Sequence, residues 1–420
     1  MREQRTIFDN IDWQLVFLYF ALVLFGWMNI YAAVYNEDHK SIFDFSQQYG
    51  KQLIWIVTSL VLALIILITD AKFYSAFAYV FFGLVMFSLV AVLVIGNKTS
   101  GAQSWFEIGA FKIQPAEFAK FATNLAVAKY LSMQNINIRQ FRTKVVVGSF
   151  LIFPLLAILL QNDTGSAIVF VCFVFVLYRE GLSGSVLLMG VGLAFLFFMA
   201  LLVEKFVLIG VIAGVSALVY YLVMKKTRKN LIIISAIVVG ASGFVYSVDK
   251  IFTDVLESHQ KDRINVLIGK EVDPKGVGYN VNQSKIAIGS GGFMGKGFLQ
   301  GTQTKYDFVP EQSTDFIFCT IGEEWGFVGS TIVVFLFLWM MVRIIIISER
   351  QRSDFTRIYG YGLASILFFH FTINVGMALG ILPVIGIPLP FFSYGGSSLW
   401  SFTILFFIFI KLDSYRLNLL

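Results

Sequence analysis

A series of long apolar runs, separated by short polar connections, constrains the fold of this chain more than any other feature. A helix that crosses a bilayer needs about 20 predominantly apolar residues. The composition also indicates a membrane protein. Of the 420 residues, 57% are hydrophobic and only 14% are charged, which is unusual for a soluble globular domain. We therefore predict an all-α polytopic membrane protein with about 10–12 transmembrane helices. The runs lie near residues 13–35, 52–69, 74–96, 117–133, 144–161, 165–179, 184–203, 206–224, 231–249, 315–346, 358–382 and 392–410.

The basic residues indicate how the chain is threaded through the membrane. If the N-terminus is cytoplasmic, nearly every connection on that side carries Lys or Arg, as the positive-inside rule requires. The long connection at about 250–314 is exempt, since long loops translocate largely regardless of charge. We therefore predict an N-in/C-in topology with one large extracytoplasmic loop. The cytoplasmic cations are Arg2, Arg5, Lys72, Arg139, Arg142, Lys144, Arg179, Lys225, Lys226, Arg228, Lys229, Arg350, Arg352, Arg357, Lys411 and Arg416.

A predicted helical hairpin at about 206–249, around the basic turn KKTRKN, does not affect this topology. Removing both of its spans leaves every later loop on the same side of the membrane. No connection outside the 250–314 loop is long enough for a soluble domain, so we predict one membrane domain over residues 1–420. The formal net charge of +6 follows from the basic cytoplasmic connections and does not indicate a nucleic-acid partner.

The cysteines and the glycine-rich segment exclude two kinds of site. Cys172 and Cys319 lie far apart in apolar runs, so neither a disulfide framework nor a thiolate metal site is indicated. The segment GSGGFMGKGFLQGT lacks two features of a P-loop, because Ser290 replaces the first required glycine and Gly297 replaces the required Ser or Thr. Nucleotide use is therefore not expected.

The extracytoplasmic loops hold most of the unusual polar residues, which places the candidate chemistry outside the cytoplasm. That side offers no pool of nucleotide sugars, so bond formation there requires an activated substrate. A polyprenyl pyrophosphate-linked sugar meets this requirement, because its lipid lies in the bilayer and its pyrophosphate leaves at the membrane surface. An enzyme would need a carboxylate to take a proton from the attacking hydroxyl, cations beside the pyrophosphate, and a hydrophobic groove.

The large loop offers a carboxylate and cations for these roles. Asp273 precedes Pro274, which restricts the backbone of both residues and would hold the carboxylate on a defined turn. The alternative is an ordinary surface turn, for which this sequence is also typical. Arg263, Lys285 and Lys296 could contact pyrophosphate or anionic lipid head groups, or each could be a solvated cation.

Three charged residues near span ends on the extracytoplasmic side are further candidates. Glu117 and Lys120 are three positions apart and therefore share a helix face. Both lie within a predicted membrane span, where charged groups are costly and usually functional. They could instead form an ion pair that fixes the helix. Asp163, in the segment QNDTG, could contribute to a polar site or cap the N-terminus of the following helix.

Prolines interrupt the chain before the last predicted span. Pro383, Pro388 and Pro390 exclude a continuous helix through the segment ILPVIGIPLPFFSYGGSS. Irregular backbone at membrane depth is tolerated where it is buried in protein or lines a watery cavity. Ser393 and Ser397 could therefore line a polar site, with helix capping as the alternative.

An ordered series of segments resembles one protein family over nearly the whole chain. In order, the segments are GAQSWFEIGAFKIQPAEFAK, QNDTGSA, DPKGVGYNVNQSKIAIGSGG, FVPEQSTDFIFCTIGEEWGFVG and GILPVIGIPLPFFSYGGSS. The chain resembles the SEDS proteins (shape, elongation, division and sporulation), the group that includes RodA and FtsW. The Gly-Thr-Gln after the glycine-rich stretch is closer to the RodA branch, associated with cell elongation, than to the FtsW branch of cell division.

The resemblance implies a peptidoglycan glycosyltransferase that polymerises lipid II at the bacterial inner membrane, with its site facing the periplasm. The family's essential acid aligns with Asp273, which would act as general base or orient the acceptor hydroxyl. Glu117 and Lys120 would belong to the central cavity. Lipid II, membrane lipids and a class B penicillin-binding protein are the implied partners. A lipid II flippase or a non-enzymatic cell-wall scaffold stays open as the alternative.

The chain departs from the family at two places. Asn162 replaces the proline that commonly precedes Asp163, and the hairpin at about 206–249 has no counterpart in shorter members, so we expect it to be a peripheral addition. No cofactor is required by the sequence. A divalent cation, Mg²⁺ or Mn²⁺, could assist the pyrophosphate, although no spacing of acidic residues dictates a metal site.

Overall fold

A computed structural model describes residues 10–35, 41–99, 102–109, 111–222, 224–255, 261, 265, 277–306 and 308–416. Ten helices in this part of the chain are long and apolar enough to cross a membrane, and Thr164–Arg179 is a shorter apolar helical segment. The predicted helical membrane architecture is confirmed. The helices are α1 (Trp13–Ala33), α2 (Gln48–Ile68), α3 (Ala71–Ala76), α4 (Ala78–Ile95), α5 (Pro115–Leu131), α6 (Phe141–Leu160), α7 (Thr164–Ile168), α8 (Phe173–Arg179), α9 (Gly184–Leu202), α10 (Lys205–Leu222), α11 (Arg228–Lys250), α12 (Val277–Ser290), α13 (Thr302–Lys305), α14 (Ile317–Glu349), α15 (Asp354–Ala378) and α16 (Gly396–Ser414).

The chain divides into two compact units, the first formed by 1–182 with 280–420 and the second by Ser183–Tyr279. In the second unit, α9 and α10 both pack against α11. Its α10 and α11 correspond to the predicted hairpin, and Lys205 of α10 pairs with Asp249 of α11 at 2.9 Å. That this hairpin is an addition to a single membrane domain stays a prediction.

Helix α5 lies at the centre of the first unit, where it packs against α4, α6, α15 and α16. Pro115 opens the helix at a position where its missing N–H has no helical partner to lose. Every residue from Ala119 to Ala128 is buried. Because protein rather than lipid surrounds the helix, it can carry polar side chains that would be costly in contact with lipid. These buried polar residues are Glu117, Lys120, Thr123 and Asn124.

A small antiparallel sheet between α4 and α5 differs from the all-helical prediction. Its strands are β1 (Asn97–Thr99), β2 (Ala102–Ile108) and β3 (Phe111–Ile113), in that order across the sheet. Ile108 at the end of β2 pairs with Phe111 at the start of β3, so the chain turns between them. Gly109 occupies this turn with φ of 64°, a left-handed conformation that glycine adopts without strain. The sheet leads directly into the start of α5.

Two segments near the end of α15 complete the same side of the first unit. Helix α12 lies inside the predicted 250–314 loop, where no helix is predicted from the sequence. Its Ser284 hydroxyl donates to the carbonyl oxygen of Ala378 at 2.8 Å. Residues 379–395 contain neither helix nor strand, as their prolines predict. We call this face, with the sheet and the 379–395 segment, the loop side.

Ion pairs join the helices at the opposite face, which we call the terminal side. Asp12, which precedes α1, pairs with Arg343 of α14 at 2.6 Å. Arg350, which follows α14, pairs at 2.8 Å with Asp413 near the end of α16. The two carboxylate side chains are only 5% and 1% exposed, so these pairs are partly shielded from solvent. They hold α1, α14 and α16 together on the terminal side.

Candidate functional site on the loop side

Two of the predicted site residues, Asp273 and Arg263, lie outside the described residues, so their roles stay predictions. The other predicted residues all lie on the loop side of the first unit, in two groups of contacts. The group around α5 contains Glu117, Lys120, Asp163, Ser393 and Ser397, and the group around α12 and the start of α14 contains Lys285 and Lys296.

Glu117 and Lys120 form a buried ion pair on one face of α5. Lys120 Nζ lies 2.8 Å from Glu117 Oε2, and their side chains are 1% and 5% exposed. Lys120 Nζ also lies 3.1 Å from His370 Nε2 and 4.6 Å from the centre of the Phe402 ring. The predicted ion pair is therefore present, and a substrate could reach it only by displacing protein contacts.

Polar side chains of α15 hold the proline-rich segment against the bundle. His370 Nδ1 lies 3.1 Å from the carbonyl oxygen of Pro388. The Asn374 amide donates to the carbonyl oxygens of Asp315 and Ile387, both at 2.8 Å. Neither His370 nor Asn374 was among the predicted site residues. Their signal is a polar residue inside an apolar span, which usually marks a specific contact.

Asp163 and Ser397 are joined through Gln114, the residue before α5. Asp163 caps α7 by accepting from the backbone N–H of Ser166 at 3.0 Å, which is one of the two roles that the sequence leaves open, and its other oxygen accepts from the Gln114 amide at 2.8 Å. Ser397 Oγ donates to the carbonyl oxygen of Lys112 at 2.9 Å and accepts from the Gln114 N–H at 3.2 Å. Gln114 is therefore a site residue that the sequence patterns did not single out.

The small sheet fixes the position of the Lys112 carbonyl that Ser397 contacts. The Lys112 ammonium pairs with Glu107 across β2 and β3 at 2.7 Å, and Asn97 of β1 donates to the same carboxylate at 2.7 Å. The hydrogen bond from Lys112, followed by that from Asn97, lowers the pKa of Glu107 below its ordinary value. All three strands are thus tied through one ionised carboxylate.

Ser393 shapes the proline-rich segment. Its hydroxyl donates to the carbonyl oxygen of Thr314 at 2.6 Å and accepts from the backbone N–H of Leu389 at 2.9 Å. The next residue, Tyr394, donates its N–H to the carbonyl oxygen of Ser313 at 2.8 Å. Ser393 therefore joins residues 379–395 to the chain that precedes α14.

Glu323, in the second turn of α14, organises the chain around Lys296. Its Oε1 accepts from Lys296 Nζ at 2.6 Å and from the N–H groups of Thr302 and Gln303 at 2.8 and 2.9 Å. Its Oε2 accepts from the Thr304 N–H at 2.9 Å. The carboxylate thus caps the short α13, as helix N-termini favour, and Lys296 is already paired inside the protein.

The glycine-rich segment packs against an interruption in α14 rather than forming a phosphate cradle. Gly326 has non-helical angles (φ 63°, ψ −157°), so its neighbours need partners outside the helix. Lys296 and Gly297 donate their N–H groups to the carbonyl oxygens at 323 and 324, and the N–H groups at 327 and 328 donate to the carbonyl oxygens at 292 and 293. A Cβ at Gly291 or Gly295 would collide with the facing backbone.

Lys285 is an exposed cation at the edge of this arrangement. It lies on α12 next to Gly380 of the proline-rich segment, and an anion at the loop-side surface could reach it. No group of three His, Cys, Asp or Glu side chains in the described part of the chain could hold a metal ion. The described site therefore combines a buried cation, Lys120, whose partners are all protein groups, with the irregular backbone of residues 379–395 and the exposed Lys285.

Comparison with known proteins gives matches over nearly the whole chain. The family model FTSW_RODA_SPOVE, described as "Cell cycle protein", matches residues 13–234 and 209–418. The peptidoglycan glycosyltransferase RodA of Treponema pallidum is 33% identical, with 94% of this chain and 95% of that protein covered. The peptidoglycan glycosyltransferase MrdB of Escherichia coli K12 is 31% identical, with 98% and 96% covered.

Solved structures give the same fold. A chain from a study of polymerization and crosslinking by a peptidoglycan synthase complex aligns with a TM-score of 0.70 at 26% identity, covering 97% of this chain and 99% of the other. RodA of Thermus thermophilus aligns with a TM-score of 0.62 at 24% identity, with 97% of both chains covered. The two matches to the family model overlap at 209–234, within the α10–α11 hairpin. The family model and the curated relatives match nearly the whole chain. The chain therefore belongs to the FtsW/RodA/SpoVE family of cell cycle proteins.

Proposed function

We propose that this protein is a peptidoglycan glycosyltransferase that polymerises lipid II during cell elongation. The observation that carries the proposal is the similarity to relatives named peptidoglycan glycosyltransferases, at 33% and 31% identity over 94% and 98% of this chain. Similarity over nearly the full length includes every segment of the loop-side site, which supports transfer of the activity and not of the fold alone.

The proposed reaction joins two lipid-linked disaccharides. The 4-hydroxyl oxygen of one lipid II attacks C1 of the sugar on the other, the bond from C1 to the pyrophosphate oxygen breaks, and undecaprenyl pyrophosphate leaves. Asp273 takes the hydroxyl proton as general base, since an ordinary Asp, with a pKa of about 4, is ionised at neutral pH. Lys285 would attract the pyrophosphate, a role that its exposure beside the proline-rich segment supports.

We place the reaction on the periplasmic face of the inner membrane. The distribution of Lys and Arg supports this, because it makes the terminal side cytoplasmic and the loop side extracytoplasmic. The terminal-side ion pairs also favour polymerisation over lipid II transport. A flippase would have to open that side, against the pairs Asp12–Arg343 and Arg350–Asp413.

A class B penicillin-binding protein is the proposed partner. The likeness to a chain from a peptidoglycan synthase complex, at 26% identity and a TM-score of 0.70, supports an assembly of this kind. Such a partner would crosslink the strands that this protein polymerises.

Purified protein, alone and with a class B penicillin-binding protein, tests the proposal by lipid II polymerisation with and without Mg²⁺ or Mn²⁺. We expect wild type to make glycan polymer, and Asp273→Ala to bind lipid II without polymerising it. Asp254→Ala, at an exposed position in the second unit, is the matched control and should polymerise normally. Normal polymerisation by Asp273→Ala would refute the base assignment. Absence of polymer from wild type, together with lipid II translocation in vesicles, would establish the flippase instead.

A further inference from the structure

The ammonium group of Lys120 has three N–H bonds, and its surroundings offer three acceptors. The Glu117 carboxylate lies at 2.8 Å, His370 Nε2 at 3.1 Å and the face of the Phe402 ring at 4.6 Å from its centre, a distance typical of a cation–π contact. The His370 and Phe402 rings are themselves in contact, with centres 4.9 Å apart and planes nearly perpendicular. Protein groups therefore occupy every direction in which Lys120 could donate.

The second ring nitrogen of His370 determines which tautomer this arrangement requires. A carbonyl oxygen can only accept, so Nδ1, 3.1 Å from the oxygen of Pro388, must carry a proton. Nε2 faces an ammonium group and must accept, so it carries none. An imidazolium would turn an N–H toward the Lys120 ammonium, which already forms a buried pair with Glu117. The contacts thus fix His370 as the neutral, Nδ1-protonated form.

We propose that His370 is a positioning residue, which orients the Lys120 ammonium through Nε2 and holds the proline-rich segment against it through Nδ1. The same segment contains Ser393 and leads to Ser397, which is tied to Gln114 and the sheet. His370 therefore links the buried cation of α5 to the backbone of the proline-rich segment on the loop side. The catalytic part of this inference rests on the proposed glycosyltransferase activity.

The role assigned to His370 is indirect, because its side chain is buried, at 1% exposure, and contacts no surface that a substrate could reach without rearrangement. Replacing it should therefore affect the rate of the bound complex more than substrate affinity. Misplacement of site groups by about 1 Å can lower a rate about 100-fold. The expected signature is a large fall in kcat with little change in KM for lipid II.

Nitrogen-15 NMR tests the tautomer in otherwise native protein. The sequence contains three histidines, so the substitutions His39→Gln and His259→Gln leave His370 as the sole labelled imidazole. We expect one protonated nitrogen, Nδ1, and one bare nitrogen, Nε2, unchanged between about pH 5 and 8, where an ordinary histidine titrates. A proton on Nε2, or an imidazolium within this range, would overturn the proposal. This measurement does not depend on any enzymatic activity.

Variants test the positioning role in lipid II polymerisation. We expect His370→Ala to lose about 100-fold in kcat, and His370→Gln to recover most of it, because a primary amide can accept from Lys120 and donate to Pro388. Thr356→Val is the matched control, since Thr356 lies buried on the same helix toward the terminal side. Wild-type kcat in His370→Ala, or equal losses in the Ala and Gln variants, would refute the role. Inactive wild type would instead refute the proposed function, while the NMR result would still stand.

Discussion

Glu323 Oε1 lies 2.6 Å from Lys296 Nζ, so the cation predicted to meet pyrophosphate is bound by a carboxylate of the protein itself. The Glu323 side chain is fully buried, whereas that of Lys296 is 25% exposed. The carboxylate also accepts the N–H groups of residues 302, 303 and 304. One side chain therefore holds both the end of the glycine-rich segment and the start of α13.

Replacing Glu323 by Gln should destabilise the protein. The amide retains the shape but places an N–H₂ group against backbone N–H donors and removes the anionic partner of Lys296, which keeps only its hydrogen bond to the Thr302 hydroxyl. Breaking a buried pair costs about 3–5 kcal/mol in unfolding free energy. Because Lys296 is partly exposed, we expect a loss at the lower end of this range, about 3 kcal/mol. Denaturant unfolding in detergent measures this difference. Glu311→Gln, at an exposed carboxylate, is the control, and equal stability of the two variants would contradict the role of Glu323.

Two variants can distinguish the structural role of the Glu117–Lys120 ion pair from its role in activity. Lys120→Met leaves the Glu117 carboxylate buried without its partner and should cost about 3–5 kcal/mol in unfolding free energy. The double variant Lys120→Met with Glu117→Gln removes both charges and should recover most of that stability. We expect it to remain inactive in lipid II polymerisation. Wild-type activity in the double variant would show that the pair only fixes the helix.

Two glycines separated by one residue should respond oppositely to alanine. A Cβ at Gly291 would collide with the carbonyl oxygen of Gly322, whereas a Cβ at Gly289 meets nothing within 4 Å. Gly289 lies inside α12, where alanine is favoured over glycine by about 0.5–1 kcal/mol. We expect Gly291→Ala to reduce the yield of folded protein and Gly289→Ala to preserve or raise its thermal stability. Equal behaviour of the two variants would contradict the close packing of the glycine-rich segment on α14.

Acid should loosen the small sheet through Glu107. Its pKa is lowered in the folded state, first by the hydrogen bond from Lys112 and then by that from Asn97. A carboxylate with a depressed pKa contributes stability above its unfolded-state pKa and loses that contribution as the pH falls through its folded-state pKa. We expect backbone amides of residues 102–109 and 111–113 to exchange hydrogen faster, after correction for intrinsic rates, only at pH below the ordinary Glu range. The Glu107→Gln variant should lack this dependence, and an unchanged profile would contradict the assignment.

The sequence patterns predict the membrane spans because apolar length and prolines act locally. Pro383, Pro388 and Pro390 predict the irregular segment 379–395, and Asp163 caps the helix that follows it. The three-residue spacing of Glu117 and Lys120 likewise predicts a shared helix face. Each of these inferences requires only neighbouring residues.

The remaining site residues depend on contacts between distant parts of the chain. His370 meets Lys120 across 250 positions, and Gln114 meets Ser397 across 283, separations that no local pattern encodes. Glu323 accepts from residues 302–304, which lie on another element, so no local pattern identifies its role. The local sequence of the glycine-rich segment excludes a P-loop but does not indicate its structural use, which depends on its pairing with the interrupted α14.

The burial of α5 has a consequence for the biosynthesis of the protein. Helix α5 carries Glu117 in its first turn and Lys120 in its second, and charged side chains oppose insertion into lipid, by about 2.5–3.5 kcal/mol at a helix centre and less toward the helix ends. Helices α15 and α16, which shield α5 in the finished fold, are synthesised long after it. The spacing of Glu117 and Lys120 allows the two charges to neutralise each other within α5 before His370 has been translated. The same pair that anchors the finished site thus eases the entry of its own helix into the membrane.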